Sequence, residues 1–267
     1  MAYANNQGVK IYYEIEGNGQ PLVLQYSQYF PLQVWREYNY VEALRDDFQL
    51  ILIDARGHGD SDKPEGAEAY QWESMVNDIV TVLDNLGLQR SIYMGYSSGG
   101  SVGFGLARLA PERVSALIIG GTSPYCTADD RAGRMAFTNE QIQSLQNQTA
   151  EDFVTDLEKY ISSINLPSLS PQMHAALLKH NPKALIAWLR ASNDWPSFEN
   201  GLSRMTMPCL LYCGEYDGPK EVQKAAEEMS NAKFVCIPDG EHLEGGTWIK
   251  ILRSEILALA SRLSSAD

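Results

Sequence analysis

Short apolar runs alternate with helical patterns along most of this 267-residue chain. The runs are rich in branched and aromatic residues and are bounded by Gly, Pro, Asn and Asp, which is typical of buried strands. Their sequences are VKIYYEI (9–15), PLVLQY (21–26), FQLILID (48–54), SIYMG (91–95), VSALIIGG (114–121), MPCLLYCG (207–214) and AKFVCIP (232–238). Segment 69–88 places Met75, Ile79 and Val82 on one helical face. The alternation predicts an α/β fold with a mostly parallel central sheet and helices on both faces.

Residues 123–205 interrupt this alternation, because they contain several helical patterns and no convincing strand. We therefore predict one core made of residues 1–122 and 206–267, with an all-helical insertion large enough to cover a site. The insertion also holds large aromatic side chains, namely Phe137, Tyr160, Trp188, Trp195 and Phe198. These aromatics either form a lid over an apolar substrate or pack the insertion against the sheet, and both interpretations are open at this point.

The composition limits which binding partners and which cellular compartment are expected. A net charge of −13 works against binding to nucleic acid or to an anionic membrane surface, so neither partner is expected. The first residues lack a basic segment followed by an apolar one, and no apolar stretch is long enough to span a bilayer. The four cysteines have no metal-ligand spacing, and we expect buried, reduced thiols and a cytoplasmic protein. The oligomeric state is left open.

The stretch YMGYSSGGS contains a G-x-S-x-G pattern, with Ser97 between Gly95 and Gly99. A sharp turn from a strand into a helix exposes a nucleophilic serine, and it requires small residues two positions before and two positions after that serine. Centring the pattern on Ser98 instead would put the bulky Tyr96 where a glycine is needed. Ser97 is therefore the candidate nucleophile. The alternative is a Gly- and Ser-rich turn whose serine only caps the following helix.

A serine nucleophile needs an imidazole as its base, and the chain has four histidines. His242 follows the last predicted strand, so it lies at the same sheet edge as the turn after SIYMG. His58 also follows a strand, but its surroundings of Gly, Arg and Asp indicate a structural loop. His174 and His180 lie on a helical pattern of the insertion, where surface or packing roles are expected. His242 is the candidate base.

The acid that orients the base is expected in CGEYDG, at the end of another predicted strand. Asp217 lies at the turn into the next helix, where a short carboxylate can reach a neighbouring loop. Its alternative role is to cap the helix that begins near Pro219, and Glu215 is then the substitute. The resulting chain order is Ser97, Asp217, His242.

On these motifs the chain resembles the α/β-hydrolase fold family over nearly its whole length. The motifs PLVLQYSQYFPLQVW, LILIDARGHGDSDKP, YMGYSSGGSVGFGLARLAPERVSALII, MPCLLYCGEYDG and CIPDGEHLEG occur in the family's order and spacing. The resemblance implies Ser97 as nucleophile, Asp217 as acid and His242 as base. It also implies that residues 123–205 form a helical cap inserted after the sixth strand.

The resemblance further implies an oxyanion hole made by the backbone N–H groups of Gln28 and Ser98. Relatives usually carry His-Gly after the early strand, whereas this chain has Tyr26 and Ser27 there. The hydroxyl groups of these two residues either supplement the N–H groups or only line the mouth of the site. Four side chains are expected as substrate-lining candidates: Tyr26, Ser27, Tyr96 and Trp188.

The expected activity is hydrolysis of a small carboxylic ester, lactone or thioester by a Ser-His-Asp triad, through an acyl-enzyme on Ser97. One alternative keeps the triad and uses it for C–C bond hydrolysis or for a lyase step that needs no cofactor. Another is a receptor of the same fold that binds a ligand and turns over slowly. No metal or organic cofactor is expected, because the sequence contains neither a phosphate-binding loop nor a zinc spacing. The partner is a small molecule.

Overall fold

A computed structural model describes residues 2–164 and 166–264 of the chain. Eight strands form one sheet in the order β1-β2-β4-β3-β5-β6-β7-β8. The strands are β1 Ala2–Asn6, β2 Val9–Glu16, β3 Gln20–Gln25, β4 Phe48–Ile53, β5 Ser91–Tyr96, β6 Val114–Gly120, β7 Cys209–Gly214 and β8 Ala232–Ile237. β2 runs antiparallel to β1 and β4, and every other neighbouring pair is parallel. The predicted mostly parallel α/β sheet is confirmed.

Ten α-helices surround the sheet in the described residues. They are α1 Val34–Glu37, α2 Tyr40–Leu44, α3 Trp72–Asn85, α4 Ser98–Leu109, α5 Ala128–Leu145, α6 Ala150–Ser163, α7 Pro171–Leu177, α8 Pro182–Ser192, α9 Pro219–Glu228 and α10 Ile249–Ser264. The sequence patterns do not predict α1, α2 or β1. The two helices span only four and five residues, and β1 (AYANN) has no apolar run, because it lies at the edge of the sheet beside β2.

The central strands are buried on both faces, which explains their continuous apolar runs. Val23 of β3 and Tyr93 of β5 belong to the core that packs against α3 and α4. Their neighbours Leu22 and Ile92 point to the opposite face, into a second core that includes α10. The period-2 alternation of a strand thus divides one apolar run between two cores.

Four helices, α5 to α8, lie between β6 and β7 and contact the rest of the molecule through polar as well as apolar groups. The Trp195 indole N–H donates to the Tyr70 carbonyl oxygen at 3.0 Å. The backbone N–H of Ser170 donates to a Glu37 carboxylate oxygen at 2.8 Å, and Lys179 pairs with Asp60 at 2.7 Å. These contacts fix the helices against the segments that follow β3 and β4 in the chain.

The cysteine expectation needs a correction. All four thiols are free, and Cys209 and Cys213 are buried in β7. Cys236 is exposed and Cys126 is only partly buried, because the former lies on the edge strand β8 and the latter in the loop before α5. Within the described ranges, no helix is long and apolar enough to cross a membrane.

Candidate active site

Ser97 occupies a strained turn between β5 and α4. Its backbone φ is +54° and its ψ is −118°, values that a residue with a side chain rarely adopts. The Ser97 N–H is held by the Gly120 carbonyl oxygen at 2.8 Å. A Cβ atom added to Gly95 would lie 2.3 Å from the Gly99 carbonyl oxygen, so a side chain at that position would collide across the turn. The sharp turn predicted around Ser97 is therefore present.

Position 99 requires a glycine for a different reason from the predicted collision across the turn. A Cβ atom on Gly99 would lie 2.4 Å from the Gln25 carbonyl oxygen and 2.7 Å from that of Tyr26. The absence of a side chain at Gly99 thus allows the backbone at the end of β3 to approach closely, and it is not needed to avoid the opposite side of the turn. This close approach places the loop that follows β3 directly beside the start of α4, where Ser97 and Ser98 lie.

His242 joins Ser97 and Asp217 in one chain of hydrogen bonds. Its Nε2 lies 3.0 Å from Ser97 Oγ, and its Nδ1 lies 2.8 and 2.9 Å from the two Asp217 carboxylate oxygens. Because a carboxylate only accepts, Nδ1 carries the hydrogen and Nε2 is left to accept from the serine hydroxyl. This is the arrangement in which an imidazole can take a proton from Ser97.

The alternative capping roles are not what the structure shows. Ser97 stands at the start of α4, but its side chain makes no capping hydrogen bond. The residue before α9 is Gly218 rather than Asp217, and that helix has no side-chain cap. Glu215 instead accepts the Asp239 N–H at 3.1 Å.

The other three histidines lie elsewhere. His174 is half-exposed and pairs with Glu158 at 2.8 Å. His58 and His180 are both buried, and their rings meet edge-on with centroids 5.8 Å apart.

A profile of the alpha/beta hydrolase fold matches residues 30–243. The chain belongs to the α/β-hydrolase fold family. The match includes all three side chains of the hydrogen-bonded chain.

Two curated relatives of this chain carry different activities in their names. A putative 2-succinyl-6-hydroxy-2,4-cyclohexadiene-1-carboxylate synthase of Bacillus subtilis is 29% identical over 78% of this chain and 79% of the relative. A pimeloyl-[acyl-carrier protein] methyl ester esterase of Pectobacterium carotovorum is 29% identical over 87% of this chain and 91% of the relative. The crystal structure of a Pseudomonas aeruginosa hydrolase superposes with a TM-score of 0.79, at 24% identity over 97% of both chains, and shares the fold.

A cavity of about 880 Å³ opens above Ser97 and His242 in this α/β-hydrolase fold. Much of its remaining wall comes from the loop after β3 and from the helices between β6 and β7. Apolar side chains of those helices form much of the wall: Phe137, Leu145, Phe153, Leu157, Tyr160, Ile161 and Trp188, with Leu166 and Trp195 from the loops beside them. Phe198 lies outside the cavity and packs against Trp72 with ring centroids 5.5 Å apart. The aromatic side chains of the insertion thus serve both as cavity wall and as core.

Two of the four expected lining residues lie in the cavity wall, and two do not. Ser27 and Trp188 face the cavity. Tyr26 and Tyr96 are buried behind it, with their rings stacked 5.2 Å apart, which corrects the expectation that they contact substrate. The Tyr96 hydroxyl instead donates to the His242 carbonyl oxygen at 2.5 Å. Tyr96 therefore anchors the backbone of the candidate base.

Gln28 and Ser98, the expected oxyanion donors, both line the cavity beside Ser97. Ser98 is the first residue of α4, and the first N–H groups of a helix have no acceptor within that helix. Their role as donors stays a prediction. The described residues contain no group of three or more His, Cys, Asp or Glu side chains placed to hold a metal ion.

Two buried polar residues in the segment after β4 hold the loop that follows β3, and the sequence patterns do not predict these contacts. Asp54 accepts the Leu32 N–H at 2.6 Å and the Asp60 N–H at 2.7 Å, and burial raises the pKa of its carboxyl to about 6. His58 accepts the Tyr29 N–H, and burial lowers the pKa of its imidazole to about 4. The signal available was their position after a strand at the edge that carries Ser97.

Proposed function

We propose that this protein is a serine hydrolase that cleaves a small carboxylic ester, lactone or thioester. One observation carries the proposal: an unbroken chain of hydrogen bonds from Ser97 through His242 to Asp217 at the wall of a large cavity. The strained backbone of Ser97 supports it, because such strain is typical of an exposed nucleophile.

In the first half of the reaction, His242 Nε2 takes the Ser97 proton while Oγ attacks the substrate carbonyl carbon. The carbonyl oxygen becomes an oxyanion, and Asp217 stabilises the imidazolium that forms. When the tetrahedral intermediate collapses, His242 returns the proton to the leaving alcohol or thiol. In the second half, His242 activates a water molecule that attacks the acyl-enzyme and releases the acid.

The oxyanion is proposed to lie against the backbone N–H groups of Gln28 and Ser98. Both residues face the cavity beside Ser97, and Gly99 lets the two segments that carry them approach closely. Loss of one such donor costs about 3–4 kcal/mol of transition-state stabilisation in other serine hydrolases.

The helices within residues 123–205 are proposed to act as a cap on a core of residues 1–122 and 206–267. They supply most of the apolar cavity wall, and this favours an acyl group that is itself apolar. The name of the Pectobacterium relative, a methyl ester esterase, supports ester cleavage. The free thiols fit a reducing compartment, and we propose the cytoplasm.

A substrate panel tests this proposal. Purified protein is assayed with p-nitrophenyl esters of two to twelve carbons, with γ- and δ-lactones, with an acyl thioester and with a vinylogous β-diketone. We expect ester turnover that Ser97→Ala abolishes. The matched control is Ser101→Ala in the same helix, whose hydroxyl faces Thr122 at 3.3 Å and should leave most of the activity. Diketone cleavage without ester turnover would instead show C–C bond hydrolysis, and tight binding without turnover would show a receptor.

A further inference from the structure

The loop between β3 and α1 has a strained residue next to an expected oxyanion donor. Tyr29 adopts a φ of +72°, the left-handed region that favours glycine, and it directly follows Gln28. The sequence of this loop is QYSQY (25–29), which contains no glycine. A tyrosine stays in this conformation only when surrounding contacts hold it there.

His58 supplies one such contact from the neighbouring loop after β4. Its Nε2 lies 3.0 Å from the Tyr29 backbone nitrogen, and its Nδ1 lies 3.1 Å from the Arg56 carbonyl oxygen. Because a carbonyl oxygen only accepts, Nδ1 carries the hydrogen and Nε2 is a free acceptor for the Tyr29 N–H. The ring is 1% exposed, so both nitrogens use their hydrogen-bonding capacity inside the protein.

The surroundings of His58 keep it in this state. Its ring meets His180 edge-on, His180 meets Phe153 at 5.3 Å, and Phe153 packs on the Tyr29 ring at 5.4 Å. Burial lowers the pKa of its imidazole to about 4, and the nearby Lys63 cation acts in the same direction, so the neutral ring is favoured. A neutral imidazole is required, because a protonated one could no longer accept the Tyr29 N–H.

The insertion holds the same loop from the other side. The Tyr29 hydroxyl donates to the Gln141 side-chain oxygen of α5 at 2.6 Å. Asp54 holds the far end of the loop through the Leu32 N–H. The Phe30 N–H donates to the Ser27 carbonyl oxygen at 3.4 Å, and so acts on the peptide unit that carries the Gln28 N–H. The His58 contact holds the next peptide unit, which joins Gln28 to Tyr29. Gln28 thus lies between two peptide units that are each held by a hydrogen bond.

We propose that His58 is a positioning residue, which through the Tyr29 N–H holds the Gln28 N–H in place for the oxyanion. This inference rests on the proposed function.

Two amide substitutions of different length provide the test. The Gln side chain in His58→Gln can bring its oxygen to the place of Nε2, whereas the Asn side chain in His58→Asn reaches only as far as Nδ1. We expect His58→Asn to lower kcat about 100-fold with little change in KM, since misplacing a catalytic group by about 1 Å costs roughly that much. His58→Gln should recover most of kcat. Affinity for a trifluoromethyl ketone, which forms an oxyanion on Ser97, should fall in parallel with kcat.

His180→Leu is the matched control, because it removes the other buried imidazole of the same cluster without touching the Tyr29 N–H. It should leave kcat within about threefold, and thermal unfolding of all three variants reports on folding. Equal kcat values in His58→Asn and the native protein would overturn the inference while leaving the proposed function intact. A parallel loss in His180→Leu would also overturn it, since packing alone would then explain the effect. Absence of turnover in the native protein would overturn the proposed function and this inference together.

Discussion

At the scale of single residues, two neighbouring carboxylates, Asp217 and Glu215, make different contacts, and these contacts distinguish their roles. Asp217 holds the Nδ1–H of His242 with both oxygens, while Glu215 accepts a backbone N–H from the loop after β8. The two lie in the same turn, and the sequence favoured Asp217 only by its place in that turn. In the structure, the direct contact between Asp217 and His242 supports Asp217 as the acid.

Asp217→Asn tests this assignment. An amide at this position stabilises the wrong tautomer of His242 and cannot stabilise the imidazolium, so kcat should fall by about 10⁴-fold. Glu215→Gln is the matched control, with the same chemical change two residues away, and should keep kcat within a few-fold. Steady-state kinetics on the best ester of the panel give both numbers. Similar losses in the two variants would show that this turn acts as a whole rather than through Asp217.

Residue types and chain order were sufficient to predict Ser97, His242 and Asp217 as candidates. Side-chain burial was not predictable in the same way. Tyr96 is next to the candidate nucleophile in sequence, yet its ring points into the protein and supports the His242 backbone. The Gly, Arg and Asp residues around His58 indicate a structural loop, but they do not indicate its contact with Tyr29. Tyr29 comes from a different loop, which the parallel pairing of β3 and β4 brings near.

At the scale of elements, the strands with continuous apolar runs were predicted closely, and the elements without such a signal were not. β1 has no sequence signal and is identified only from the structure, where it pairs with β2. Its residue Asn6 donates to Asp78 of α3 at 2.8 Å. The Asp78 carboxylate also accepts two hydrogen bonds from the guanidinium of Arg56 in the loop after β4, from Nη2 at 2.5 Å and from Nε at 2.7 Å. One buried carboxylate thus connects β1, α3 and the loop that carries His58.

Asp78→Ala should therefore lower the free energy of unfolding by about 3–5 kcal/mol, because it leaves the Arg56 charge buried without a partner. Both side chains of this pair are almost fully buried, at 4% and 3% exposed. Asp84→Ala is the matched control in the same helix, since Asp84 pairs with Arg113 but is 63% exposed. That change should cost less than about 1 kcal/mol. Chemical denaturation measures both values, and equal costs would contradict the account of this element.

At the scale of the whole molecule, the site exists because three distant segments end at one edge of a parallel sheet. Ser97 follows β5, Asp217 follows β7 and His242 follows β8. The order of motifs was enough to predict this meeting point, since the carboxyl ends of parallel strands share an edge. The cavity was not predictable, because its wall combines a loop with helices of the insertion whose packing depends on many side chains at once.

The central claim is that Ser97 is activated by His242, and intact-mass measurement after incubation with a fluorophosphonate tests it most directly. The native protein should gain the mass of a single phosphonyl group, and Ser97→Ala should gain none. A native protein that gains no mass would contradict the claim, and so would an adduct that persists in Ser97→Ala.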